Sequence, residues 1–164
     1  MQPLMEKYGL KREEALEILS KGRDGVLSTI GADGYPYGVP VNYLYKDGVV
    51  YFHGRGAGEK VENVTRDPRV CFTVYCHESF EVTGPETCNV TTNYVSVIVK
   101  GKCTPVTDQA KKEEILYDMV KTLVPEKDMG PVNPQSAAHT AIFAISTEEV
   151  TGKKRPAMPG HKTI

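Results

Sequence analysis

Along most of this chain apolar and polar residues alternate with a period of two, and three stretches break that rhythm at helical spacing. Residues 12–19 gather Ala15, Leu16, Ile18 and Leu19 on one helical face. Residues 25–30 alternate as a strand and run into Gly31-Ala32-Asp33-Gly34, a turn signal. A second strand follows at 37–45, and Lys46-Asp47-Gly48 predicts a hairpin into a third at 49–52. A short helix at 59–65 is stopped by Asp67-Pro68, because the residue before a proline is pushed out of the helical region. Further strands are predicted at 69–75 and 95–104. Ile115, Leu116, Met119, Val120 and Leu123 predict an amphipathic helix over 110–123. A loop bearing Pro and Gly at 125–138 then leads to a last strand at 140–146. Six strands in hairpin order with few helices predict a mainly β fold, an antiparallel barrel with capping helices.

With 164 residues the chain is long enough for a single domain with a full core, and no repeat or low-complexity tract divides it. A formal charge of −1, with no basic run interleaved with aromatics, argues against a nucleic-acid partner. No segment approaches the run of about 18 apolar residues that a membrane helix requires, so no membrane partner is expected. The opening residues MQPLMEKYGLKREEALEIL read as charged and helical rather than as a secretory signal, which predicts a cytoplasmic protein. Cys71, Cys76, Cys88 and Cys103 form no CxxC pair. Cys71 reads as a reduced core thiol in a strand, Cys76-His77 lacks a second close pair, and no metal site is expected. His77 reads as part of a solvated loop, and neither His139 nor His161 earns a role. Lys153, Lys154 and Arg155 read as a solvated basic tail, and residues 156–164 as a flexible one.

The segment that changes the picture is VVYFHGRGAGEK, residues 49–60. A strand that stops, turns on glycines and restarts as a helix leaves backbone N–H groups facing outward, and the helix dipole adds positive charge there. Gly54, Gly56 and Gly58 let a ligand approach the main chain closely, while Arg55 and Lys60 add full charges suited to phosphate. The plain alternative is a flexible hairpin-to-helix turn. Neither familiar glycine loop fits. A Walker loop needs Lys-Ser/Thr after its second glycine, and here Gly58 is followed by Glu59. A dinucleotide fingerprint needs glycine where this chain has Glu59, and no repeated βαβ units follow. Alternation sets Val49, Tyr51 and His53 on one face of the strand and Val50 and Phe52 on the other. A strand-end histidine such as His53 is commonly a packing or hydrogen-bonding residue.

The run GVLSTIGADGYPYGVPVNYLYKDGVVYFHGRGAGEKVENVTRDPRVCF resembles the FMN-binding split barrels related to pyridoxamine 5′-phosphate oxidase. It is most similar to the 5-nitroimidazole resistance branch, marked by a strand ending in Phe-His-Gly, a small-residue loop and Gly-x-Lys. YVSVIVKGKCTPVTD and TGKK extend the resemblance, which covers about residues 15–154. It implies a six-stranded, Greek-key split barrel and a homodimer with one flavin in each of two shared grooves. The flavin ring would lie along Val39, Pro40, Val41 and Asn42, mainly through backbone contacts, with Pro40 marking irregular pairing. The phosphate would meet His53, Gly54, Gly58 and Lys60, with Arg55 nearby, and Tyr94 and Ser96 would form the rim given by the partner chain. The oxidase proper has an arginine where this chain has Val39, and only Lys153, Lys154 and Arg155 could replace its basic substrate pocket. The resemblance therefore implies another substrate. No side chain reads as a catalytic nucleophile or base; the chemistry would belong to FMN, reduced by NAD(P)H and reoxidised by a small molecule such as a nitroimidazole. FAD or haem are the alternative cofactors, His53 being a possible axial ligand, and a non-catalytic sensor or storage protein is the alternative role.

Overall fold

The computed structural model describes residues 3–157 and 162–163, with side chains described over 6–157. Two N-terminal helices, α1 (Pro3–Tyr8) and α2 (Arg12–Lys21), lead into β1 (Asp24–Ile30), β2 (Pro36–Lys46) and β3 (Val49–Gly54). Helix α3 (Glu59–Arg66) precedes two long strands, β4 (Arg69–Val82) and β5 (Val90–Pro105). Helices α4 (Gln109–Leu123) and α5 (Pro134–His139) are followed by β6 (Ala141–Ser146), β7 (Glu149–Arg155) and the short β8 (Lys162–Thr163).

Six of the strands, in the order β1-β2-β3-β6-β5-β4, close an antiparallel ring, because β4 pairs with both β1 and β5. Inside it lie Leu27, Tyr43, Val50, Phe52, Phe72, Val97, Phe143 and Ile145, all buried. Tyr43 meets Phe72 edge-on and Phe52 stacks on Phe143, each pair with centroids 5.0 Å apart. Burying each such side chain stabilises the fold by about 1.5–3 kcal/mol. Helix α2 adds Ala15 and Leu19 to this core, and the buried Tyr43 hydroxyl donates to the Leu19 carbonyl at 2.7 Å. A second apolar layer forms outside the ring, where Ile115 and Met119 of α4 cover Leu44, Tyr51 and Ile142. The alternation expected for β3 holds, with Val50 and Phe52 in the first core and Val49 and Tyr51 in the second.

Strand β5 changes neighbours partway along one edge. It pairs with β7 through Lys100 and with β6 from Cys103, and Gly101 sits at the changeover. A Cβ there would lie 1.7 Å from the Ser146 carbonyl oxygen, so only glycine lets the two strands cross.

Several expectations are corrected. The strand at 140–146 is not the last, since Glu149–Arg155 forms β7 against β5 and takes in Lys153, Lys154 and Arg155. That segment reads as polar because Val150 and Gly152 alone give it an inner face; pairing supplies the rest. Strands β4 and β5 extend beyond the expected 69–75 and 95–104, to Val82 and from Val90, past an irregularity between His77 and Ser79. His77 is therefore in a strand, its ring 4.5 Å from that of Phe80. Cys71 is half-buried on the outer sheet face, and Cys103 is the core thiol, pushed up to about 12 by burial. Of the expected tail at 156–164, residues 158–161 and 164 lie outside the described residues, while Lys162–Thr163 pairs with Val82 and Glu81.

Candidate functional site at the barrel split

The ring is incomplete between β2 and β3. Their ladder ends where Tyr43 faces Phe52; beyond it Pro36 to Asn42 pair only with β1, and His53 and Gly54 only with Ile142 and Ala141 of β6. The Tyr43 N–H donates to the Arg23 carbonyl at 2.9 Å on the β1 side. Ladder bonds recur every second residue, so the odd-numbered residues of β2 bond β1, and Gly38, Pro40 and Asn42 turn their backbone groups to the open edge. Register with β1 runs without a shift through Pro40, contrary to the irregular pairing expected there. The missing proline donor faces the split, where no ladder needs it. Val39 and Val41 point their side chains into the core, and the Asn42 amide donates to Asp24 at 2.5 Å.

The opposite wall is the loop from β3 to α3. Gly58, the N-cap of α3, has φ of 110°, a backbone that favours glycine, and no side chain caps the helix. Its first amides are thus available to an anion. Gly54 cradles the Lys60 side chain: a Cβ at Gly54 would lie 3.3 Å from Lys60 Cε and 3.4 Å from Nζ. Neither Lys60 nor Arg55 has a carboxylate partner among the described residues, although Glu59 and Glu62 in the first turn offset part of the positive charge. Val61 and Val64 pack α3 onto the main core. Buried Asn63 donates to the Thr29 hydroxyl at 3.0 Å, and Arg66 donates to the Ile30 carbonyl and, at 3.1 Å, to Asn63 Oδ1. These bonds tie the second half of α3 to β1. His53 is exposed at the end of β3, with Nδ1 3.0 Å from Met119 Sδ.

The structure therefore puts Pro40 and Asn42 on one edge of the split and His53 and Gly54 on the other, with the Lys60 side chain against Gly54, Gly58 at the start of α3 and Arg55 on the exposed loop between. Tyr94 and Ser96 lie on β5, three strands from β2 across the sheet order β2-β1-β4-β5, about 14 Å at ordinary strand spacing. Within one chain they do not reach the loop. Gly38, Asn63 and Met119 were missed. The period-two pattern carries a signal for Gly38, which shares the even-numbered set of Pro40 and Asn42; Asn63 and Met119 gave none, because their partners are distant in sequence.

Among the described residues no helix covers the outer face of β2, β1, β4 and β5, which exposes Val26, Ile30, Tyr75 and Ile98. A cavity of about 710 Å³ opens there, between Ser28, Ile30, Pro36, Arg69, Cys71 and Lys100. Among the described residues, no helix is long and apolar enough to cross a membrane, and no group of three or more His, Cys, Asp or Glu is placed to hold a metal ion.

Known folds share this arrangement. The chain is similar to the flavocytochrome Anf3 from Azotobacter vinelandii, with 22% identity and a TM-score of 0.80 over 96% of this chain and 79% of that one. An FAD and heme binding protein from Mycobacterium smegmatis gives a TM-score of 0.81 at 14% identity, covering 93% and 75% of the two chains. A proposed 5-nitroimidazole antibiotic resistance protein from Bacteroides thetaiotaomicron gives 0.75 at 20% identity, covering 88% and 86%. No curated protein matches the sequence. A family model described as pyridoxamine 5′-phosphate oxidase matches residues 11–154. With that match spanning most of its length and a barrel split at the same place as its glycine loop, the chain belongs to the pyridoxamine 5′-phosphate oxidase family of FMN-binding split barrels.

Proposed function

We propose that this protein binds FMN in the split and acts as a flavin-dependent reductase of a small acceptor, with nitro compounds such as nitroimidazoles as the candidate class. One observation carries the reading: the open edge of β2 faces a glycine loop whose lysine has no carboxylate partner among the described residues. The residues fit the cofactor. Backbone groups of Gly38, Pro40 and Asn42 suit the polar rim of a flat ring, while Lys60 and the uncapped start of α3 suit a phosphate. A flavin held there would supply two-electron redox chemistry between a reduced nicotinamide and an acceptor. The chain's own residues orient and hold; Lys60 binds charge, and Asn63 and Arg66 keep α3 in register.

A second copy completes the site in this proposal. One chain leaves a ring-sized ligand half exposed at the split, and ligand sites normally bury most of their ligand. The uncovered sheet face with Val26, Tyr75 and Ile98 suits a homodimer, in which the partner would bring its own Tyr94 and Ser96 to the rim. The visible spectrum of the purified protein, before and after adding NADH or NADPH, tests the function. Flavin bands that bleach support the reductase. Flavin that stays oxidised supports a binding role, and a Soret band supports haem, which similar structures hold together with flavin. Identifying the released cofactor separates FMN from FAD, and a monomer with flavin bound by light scattering would remove the shared site.

A further inference from the structure

We propose that Met119 is a positioning residue that holds His53 in its Nδ1–H tautomer, so that Nε2 accepts a hydrogen bond from a hydroxyl of the ligand rather than serving its phosphate. His53 Nδ1 lies 3.0 Å from Met119 Sδ. A thioether offers only lone pairs, so a neutral histidine makes this contact favourable only with its proton on Nδ1. The other tautomer would set two lone pairs against each other at that distance. Met119 cannot turn away cheaply, being 1% exposed and packed with Ile115 and Ile142. Nε2 sits across Cε1 from Nδ1 and points away from Met119, on an exposed residue one position past the end of the β2–β3 ladder. In the neutral ring that nitrogen carries no proton and is an acceptor.

A phosphate oxygen is also an acceptor, and the two would repel. The phosphate therefore belongs with Lys60, whose ammonium lies against Gly54, one residue further along. The ligand that satisfies both groups carries a hydroxyl donor near a phosphate, as a polyol phosphate does. The ribityl phosphate of FMN has that chemistry. The choice of ligand rests on the flavin reading, whereas the tautomer does not.

The test is ¹⁵N NMR of ligand-free protein at pH 8, where histidine is ordinarily neutral. His53 should show a protonated Nδ1 and an unprotonated Nε2. Met119→Leu, which nearly conserves volume, should make the Nε2–H form the major one without a large change in the melting temperature. FMN affinity in that variant should fall about twofold to tenfold, the worth of one neutral hydrogen bond. An unprotonated Nδ1 in the wild type overturns the inference, whether or not the variant folds, and so does an unchanged ¹⁵N pattern in Met119→Leu. Failure of the wild type to take up FMN would instead sink the flavin reading, with the tautomer decided by its own spectrum.

Discussion

Gly101→Ala tests the geometry that closes the barrel. The new Cβ would sit 1.7 Å from the Ser146 carbonyl oxygen, 2.8 Å from its carbon and 2.9 Å from its Oγ. The first two of these are main-chain atoms, so no rotamer change relieves the clash; β5 and β6 must move apart by more than 1 Å. The pairing that follows matches Cys103 with Ile145, Thr104 with Ala144 and Pro105 with Phe143, and it closes the ring. Losing two of its hydrogen bonds costs about 1–3 kcal/mol, and overpacking strain adds about 1–3 kcal/mol. A loss of roughly 2–6 kcal/mol is a large share of the 5–15 kcal/mol typical of a folded domain. For a chain of this size it lowers the melting temperature by roughly 4–24 °C. Gly130→Ala is the control, since a Cβ there meets nothing within 4 Å; it should stay within about 0.5 kcal/mol of wild type. Urea unfolding of both variants measures the difference. A Gly101→Ala protein within about 1 kcal/mol of wild type would refute the argument that this crossing requires glycine.

Lys60→Ala should weaken FMN binding by about tenfold to a hundredfold, the loss of a charge-assisted hydrogen bond, with little change in unfolding; flavin content equal to wild type would remove the phosphate from this loop. Gly54→Ala displaces only the end of the Lys60 side chain, so it should leave stability nearly unchanged while reducing FMN affinity in a fluorescence titration. Asn63→Ala strips the buried Thr29 hydroxyl of its donor and should lower unfolding free energy by about 1–3 kcal/mol by urea titration. The folded Cys103 thiol is raised to about 12 from 9.0, so its contribution is full below pH 9 and is lost as pH rises from there toward 12, because only the unfolded chain ionises in that window. Cys103→Ala should flatten the fall in stability between pH 9 and 11, and an unchanged slope would count against the burial argument. A colorimetric thiol assay should titrate exposed Cys76 and Cys88 quickly and Cys103 only after unfolding.

What the sequence settled by itself is local. Alternating apolar residues and the Lys46-Asp47-Gly48 turn are enough to make β2 and β3 a hairpin, since side-chain period and turn backbone are properties of neighbours. The glycines from Gly54 to Gly58 marked a turn into a helix start for the same reason, and the resemblance ran over most of the chain. The tertiary structure decided where the barrel opens. That depends on which strand lies beside each half of β2 and β5, a choice between distant partners that no local pattern encodes. It made a strand of the polar residues Glu149–Arg155 by giving them β5 as a neighbour, and it placed Cys103 rather than Cys71 in the core. It also set His53 against Met119, 66 positions later in the chain. A contact of that kind arises only when α4 packs across β3, because the energy that holds it comes from burying the two surfaces together and not from either segment alone.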